Sequence, residues 1–186
     1  MKRLLVLSAV VCGVAATTFL TGSPQEVAAQ SGSRSGSGRQ AVGNRPFEAK
    51  FWDYIVSAKY TNWAPVPGET DDALEGASPH GAFLKMYLNR TAAGRPKELP
   101  NGSIVVKENY GKDGKTLMAI TVMYRSKGYN PEAGDWYWGK YNTYGSVAAA
   151  PPEMGSMALA SKPMSCIKCH GEGASGKDFA FFNDDM

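Results

Sequence analysis

Four segments in the middle of this chain share one pattern, and that pattern limits the fold more than anything else in it. "GAFLKMYLN" (81–89), "GSIVVKENY" (102–110), "KTLMAITVMYR" (115–125) and "DWYWGKYNTYG" (135–145) are rich in β-branched or aromatic residues. Such residues suit a pleated, half-buried surface. The turn signals "LPNG", "GKDGK" and "NPEAGD" punctuate them. Strands joined by short links run antiparallel, because a parallel pair needs a crossover of a dozen or more residues. "YGKDGK" reads as a hairpin with a glycine-containing loop.

Helical character flanks these strands. In "PFEAKFWDYIVSAKY" the residues Phe47, Phe51, Tyr54, Ile55 and Ala58 recur at helical spacing. "APVPGETDD" then breaks the helix. After the last strand, "PEMGSMALASKPMSCIKCH" (152–170) reads as helical again. The predicted class is α+β: a mainly antiparallel β-sheet with flanking helices, one of them near the C-terminus. There is no internal repeat.

The N-terminus is organised differently. "MKRLLVLSAVVCGVAATTFL" places Lys2 and Arg3 before an apolar stretch, and Val27 and Ala29 fit the −3 and −1 positions of a small-residue cleavage site. Residues 1–29 are therefore read as a signal peptide. The second reading is an uncleaved membrane anchor, for which the stretch is slightly short. Cleavage removes Lys2, Arg3 and Glu26, lowering the net charge of +3 by one, and leaves Cys166 and Cys169 as the remaining cysteines. Residues 30–45, "QSGSRSGSGRQAVGNR", hold too little apolar surface to order themselves and read as a flexible Gly/Ser/Arg linker. A domain over 46–186 follows. The charge is mild and no long Lys/Arg run exists, so nothing argues for nucleic-acid binding.

Cys166, Cys169 and His170 form the pattern C-x-x-C-H. On a helix, positions three and four apart share one face. Two thiols so placed can form thioether bonds to the two vinyl groups of one haem, with the adjacent imidazole ligating iron. Attachment requires reduced cysteines in an exported protein, which agrees with the signal peptide. Two other readings of these residues are weaker. A thioredoxin-like dithiol lacks the βαβ pattern it needs. A zinc site would have to recruit His80, and adjacent Cys169 and His170 are awkward on one tetrahedral ion. One covalently attached haem c is expected, with Cys166 and Cys169 as thioether donors and His170 as proximal iron ligand.

Electron-transfer haems usually take a second strong axial ligand. His80 and His170 are the only histidines. Met164 is too close to Cys166 in sequence to cross to the far side, and Met118 and Met123 read as core. Met154 and Met157 read as packing or loop residues, and beyond the motif only Met186 remains. His80, in "SPHGAF", reads as a solvent-exposed turn histidine, with distal acid/base or sixth-ligand work as its second reading. A vacant distal position is therefore expected, and a five-coordinate iron binds small molecules.

"HGAFLKMYLN", "LPNGSIVVKENYG", "MYRSKGYNPEAGDWYWGKY" and the late "CIKCH", in that order, resemble the cytochrome P-460 family, which includes cytochrome c′-beta. The resemblance covers roughly residues 46–182. It implies an antiparallel β domain with flanking helices, usually a homodimer, carrying one haem c. In one branch the resemblance implies oxidation of hydroxylamine, alone or with nitric oxide, by a haem whose porphyrin edge is bonded to a lysine. Electrons would pass to another exported, periplasmic cytochrome. In the other branch it implies binding of nitric oxide or carbon monoxide without that bond. The lysine of the bond corresponds to Lys107 in "GSIVVKENY". Period-2 alternation puts Lys107 on one face with Ser103, Val105 and Asn109, and Ile104, Val106, Glu108 and Tyr110 on the other. Residues alone make Lys107 an ordinary strand lysine. By the same alternation Trp136 and Trp138 oppose Tyr137 and Tyr141. Phe83, Leu84 and Met86 are the candidates for an apolar distal wall.

Overall fold

Residues 45–69, 73–174 and 178–186 are described by a computed structural model of the chain. The signal peptide read over 1–29 and, but for Arg45, the linker read over 30–45 lie outside them. Among the described residues no helix is long and apolar enough to cross a membrane.

The four β-branched and aromatic segments form strands of the sheet they predict. Its strands are β1 (Ala64–Pro65), β2 (Leu74–Glu75), β3 (Phe83–Leu88), β4 (Ile104–Tyr110), β5 (Leu117–Arg125), β6 (Trp136–Tyr141) and β7 (Ala160–Ser161). They lie in the order β1-β3-β4-β5-β6-β7, with β2 also pairing with β3, and every pairing is antiparallel. Among the described residues three helices accompany them: α1 (Phe47–Ser57), α2 (Arg90–Gly94) and α3 (Met164–Gly173). The fold is α+β. The β4–β5 hairpin closes by Gly111 N–H donating to Thr116 O at 2.9 Å. Asp113 shapes its loop by accepting from the N–H groups of Lys115 and Thr116 at 3.0 and 2.9 Å. Gly114 takes φ +64°, a conformation that favours glycine.

The register divides the sheet into two faces. One carries Ile104, Val106, Ile120, Val122, Tyr137 and Tyr141, covered by Phe51 and Ile55 of α1. Phe51 packs on Tyr124 and Tyr137 with ring centroids 5.5 and 5.6 Å apart. Within this face Glu108 is 5 % exposed, and it accepts hydrogen bonds from three tyrosine hydroxyls. Tyr60 donates at 2.8 Å, Tyr87 at 3.0 Å and Tyr110 at 2.7 Å. A buried carboxylate is tolerated when donors of this kind surround it.

The other face carries Leu88, Val105, Met123, Trp136 and Trp138, and α2, α3 and the C-terminal tail cover it. Lys107 belongs to this side. Met86, Lys107, Thr121 and Lys140 form one transverse row across β3, β4, β5 and β6.

The helical reading of 152–170 is corrected. Only a single turn of 3₁₀ helix forms at Pro152–Met154, and Gly155 ends it at φ +84°. Ala160 and Ser161 instead pair with Gly139 and Trp138 as β7. The open edge of β6 offers backbone partners that outweigh local propensity. The helix begins only after Pro163, whose missing N–H is harmless there.

Candidate functional site

Pro163 starts α3 by accepting from Cys166 N and Ile167 N at 3.0 and 3.1 Å. The helix places Cys166, Cys169 and His170 on one face. Cys166 and Ile167 pack against the Trp138 side of the sheet, while Cys169 is exposed. Both cysteines are free thiols. Burial pushes the Cys166 thiol up, the opposite of what a redox-active dithiol needs. Among the described residues no three of His, Cys, Asp and Glu are grouped so as to hold a metal ion. Neither the dithiol nor the zinc reading gains support.

His170 is held on three sides. Its ring packs on Trp138 and Phe181, with centroids 4.8 and 4.9 Å away. Its Nδ1 lies 2.8 Å from Phe179 O. A carbonyl only accepts, so Nδ1 carries the proton and a neutral His170 keeps a bare Nε2. That arrangement is how proteins fix the tautomer of a metal-ligating histidine.

The Phe179 carbonyl owes its place to the tail. Buried Asp178 accepts from Leu99 N at 3.1 Å, Asn183 Nδ2 at 2.9 Å and Ala180 N at 3.3 Å. Its own carbonyl accepts from Trp136 Nε1 at 2.7 Å. The tail is thus pinned to the sheet on one side and holds His170 on the other.

Lys107 faces the same space. Burial pushes its ammonium down to about pKa 8, and Lys140 lowers it further, while Cys166 and Cys169 act in the opposite sense. Its charge also helps to hold His170 below the ordinary histidine range, where burial has the larger effect. Arg45–Asp53 and Arg95–Glu98 are ion-paired, and Lys107 makes no such pair with a carboxylate among the described residues. The four residues singled out in the sequence come together.

His80 is not the exposed turn residue that its neighbours suggest. It is part-buried, and its Nδ1 lies 3.1 Å from Asn109 Oδ1. Gly81 makes this contact available. A β carbon there would meet Tyr110 O at 2.3 Å, so only glycine lets the turn approach β4 so closely. His80 and His170 have ring centroids 6.2 Å apart with their planes at 88°. Burial, Lys107 and His170 hold His80 in its neutral form, down to about pKa 3.

Of the methionines, Met123 lies in the core, as expected. Met118 does not: it is 60 % exposed near the β4–β5 hairpin. Met154, Met157, Met164 and Met186 are exposed as well. Leu84 and Met86 share the sheet face of Lys107, whereas Phe83, out of phase with them, lies on the opposite one. Sequence reading missed Asn109, Trp138, Asp178 and Phe179. Asn109 had a signal: an asparagine inside a strand, on the face that also bears Lys107, is depleted unless it has partners.

The side chains fit a haem. Two thiols and a tautomer-fixed imidazole share a helix face, two lysines answer an anionic group, and the Trp138 indole N–H is buried with no partner among the described residues. The comparisons agree with this chemistry. A family model described as Cytochrome P460 matches residues 57–182. No curated protein matches the chain.

Proposed function

The chain belongs to the cytochrome P460 family, a family of haem proteins, and on that premise we propose that it holds one haem c and oxidises hydroxylamine with it. Cys166 and Cys169 would supply the thioether bonds and His170 the proximal ligand. The haem supplies an iron that binds a small nitrogen compound and takes up its electrons. Each electron removed from hydroxylamine releases a proton, and the electrons leave to another exported cytochrome. Export to the periplasm and a homodimer complete the reading, supported by the N-terminal sequence and by the family resemblance.

One observation carries the proposal: the Lys107 amine lies close enough to Cys166, Cys169 and His170 to interact electrostatically with each, and has its pKa lowered to about 8. A desolvated amine without a carboxylate partner is a nucleophile. Bonding it to the porphyrin edge replaces an N–H and a C–H bond by one C–N bond. Two protons and two electrons are lost, so a two-electron oxidant such as a peroxide must accept the electrons. A second reading rests on Leu84 and Met86, which put apolar side chains on the face of Lys107. Such a wall favours nitric oxide over a charged ligand, with no turnover.

The test is the ferrous absorption spectrum together with the mass of the digested protein. We expect a strongly red-shifted Soret band and a Lys107 peptide joined through haem to the Cys166–Cys169 peptide. Lys107→Leu should return the spectrum to that of an ordinary haem c and abolish hydroxylamine-dependent reduction of an added acceptor. A wild-type protein with an ordinary spectrum and a free Lys107 peptide would establish the second reading instead.

A further inference from the structure

The chemistry read at the site leaves one buried charged group unused. Glu108 follows Lys107 on β4 and takes the opposite face of the sheet, where it is 5 % exposed. The Tyr60 hydroxyl donates to its Oε1 at 2.8 Å, and the Tyr110 and Tyr87 hydroxyls donate to its Oε2 at 2.7 and 3.0 Å. The rings of Tyr60 and Tyr87 also meet edge to face, with centroids 5.6 Å apart. Phenylalanines around an apolar residue would fill the same space without burying a charge, so packing alone does not account for the group.

A phenol gives up an electron readily only when its proton can leave at the same moment. Each phenol of this cluster points its O–H at a carboxylate, which is a base as well as an acceptor. The other aromatic side chains lack that partner. Tyr137 lies 3.1 Å from the Tyr141 hydroxyl, and Tyr141 donates to the Glu48 carbonyl at 3.0 Å. Neither a phenol nor a carbonyl takes a proton outright. Trp138, whose ring lies 4.8 Å from that of His170, has a buried Nε1–H with no partner among the described residues. An electron lost there would leave a cation with nowhere to send its proton. The Glu108 cluster is set apart by its base, and it lies one strand's thickness from the Lys107 face.

We propose that Glu108 with Tyr60, Tyr87 and Tyr110 is an internal electron donor to the haem site, drawn on when a peroxide reacts there. The proposal rests on the reading that Cys166, Cys169 and His170 hold a haem. Hydrogen peroxide takes up two electrons and two protons from solvent, its O–O bond breaks, and two waters form. One electron comes from the haem and the other from a phenol of the cluster. The phenol O–H bond breaks, its proton passes to the Glu108 carboxylate, and a neutral phenoxyl remains. Phenols are too hard to oxidise to carry away the electrons of hydroxylamine, so the cluster takes no part in that reaction. It moves an oxidising equivalent away from the haem and Lys107 to the other face of the sheet. There Tyr60 lines a cleft of about 530 Å³ with Trp52, Lys59 and Leu117. A small reductant in that cleft stands beside Tyr60 and can return the electron.

The experiment mixes the ferric, haem-loaded protein with one equivalent of hydrogen peroxide and freezes it for electron paramagnetic resonance. Wild type should show a phenoxyl signal that narrows when the protein carries ring-deuterated tyrosine. A parallel reaction with a nitroso spin trap, digested and mapped by mass spectrometry, should place the adduct on Tyr60, Tyr87 or Tyr110. Glu108→Gln keeps the shape but not the base, and should slow formation of the radical about 100-fold. Tyr137→Phe should leave the signal unchanged. A wild type with no phenoxyl signal overturns the proposal, and so does an adduct found on Trp138 or Tyr137 instead; neither result depends on a variant that folds. An undiminished rate in Glu108→Gln overturns it as well. If the wild type carries no covalent haem on a denaturing gel, the haem reading has failed, and the donor role fails with it.

Discussion

Lys107 shows how a single side chain can change meaning with its surroundings. In the sequence it is one of the lysines on a strand. In the fold it loses water, meets Lys140, and has its pKa lowered to about 8. The protonated amine has no lone pair to form a bond, so reactivity rises with pH. Starting from haem-loaded protein not yet bonded, the red-shifted band should develop slowly at pH 6.5 and fastest above pH 9, with half-maximal rate near pH 8. Lys107→Arg should form no band at any pH, because a guanidinium does not lose its proton. Stopped-flow absorption across that range is the measurement. A profile centred near the ordinary lysine value of about 10.4 would mean that the amine remains in water.

At the scale of elements, the tail after α3 acts as a brace. Asp178 gathers Leu99 N, Ala180 N and Asn183 Nδ2 into one buried carboxylate. That fixes the neighbouring Phe179 carbonyl which orients His170. Asp178→Ala would leave those donors buried without partners, at a cost of about 2–4 kcal/mol. Asp178→Asn keeps one acceptor oxygen and should lose less. Urea unfolding of the haem-loaded protein reads the stability; a loss below about 1 kcal/mol for the alanine variant would show that water replaces the carboxylate. None of this was legible beforehand, because the brace joins residues far apart in sequence whose individual identities are ordinary. The strands were legible, since runs of β-branched and aromatic residues and the turn residues between them are local signals. C-x-x-C-H was legible because its chemistry lies within five consecutive residues. Period 2 alone grouped Lys107 with Val105 and Asn109 on one face of β4, but the family resemblance was needed to single that face out. His80 failed for the opposite reason: "SPHGAF" describes its turn correctly, but only the pairing of β3 with β4 shows that the turn folds back onto Asn109. The helix read over 152–170 holds from Met164 onward and gives way before it, because the open edge of β6, which takes up Ala160 and Ser161, lies outside any sequence window.

The whole molecule separates two kinds of polar chemistry by the thickness of one sheet. On the site face polar groups are left able to take a ligand. On the α1 face they satisfy one another: Glu108 takes three tyrosine hydroxyls, and Tyr137 and Tyr141 lie 3.1 Å apart through theirs. Burial, reinforced for the first three by the Glu108 carboxylate, pushes Tyr60, Tyr87 and Tyr110 well above the ordinary phenol range. Burial raises Tyr137 in the same way, and Tyr141 is pushed up to about 12. The consequence for stability has a definite sign. Below about pH 10 these phenols are neutral in both folded and unfolded chains, and pH has no leverage through them. Above it the unfolded chain releases their protons while the folded chain retains them, so unfolding is increasingly favoured as pH rises. Alkaline titration should therefore ionise this raised group in one steep step that coincides with loss of the far-ultraviolet signal, between about pH 10 and 12. Phe at both positions 60 and 87 removes two of the raised phenols. It should shallow this alkaline loss, although stability at neutral pH falls as Glu108 loses donors. Absorbance of tyrosinate followed alongside circular dichroism separates the two effects. Gradual ionisation of every tyrosine in the intact fold would mean that the α1 face admits water, and that the segregation of the two faces is not what stabilises the sheet.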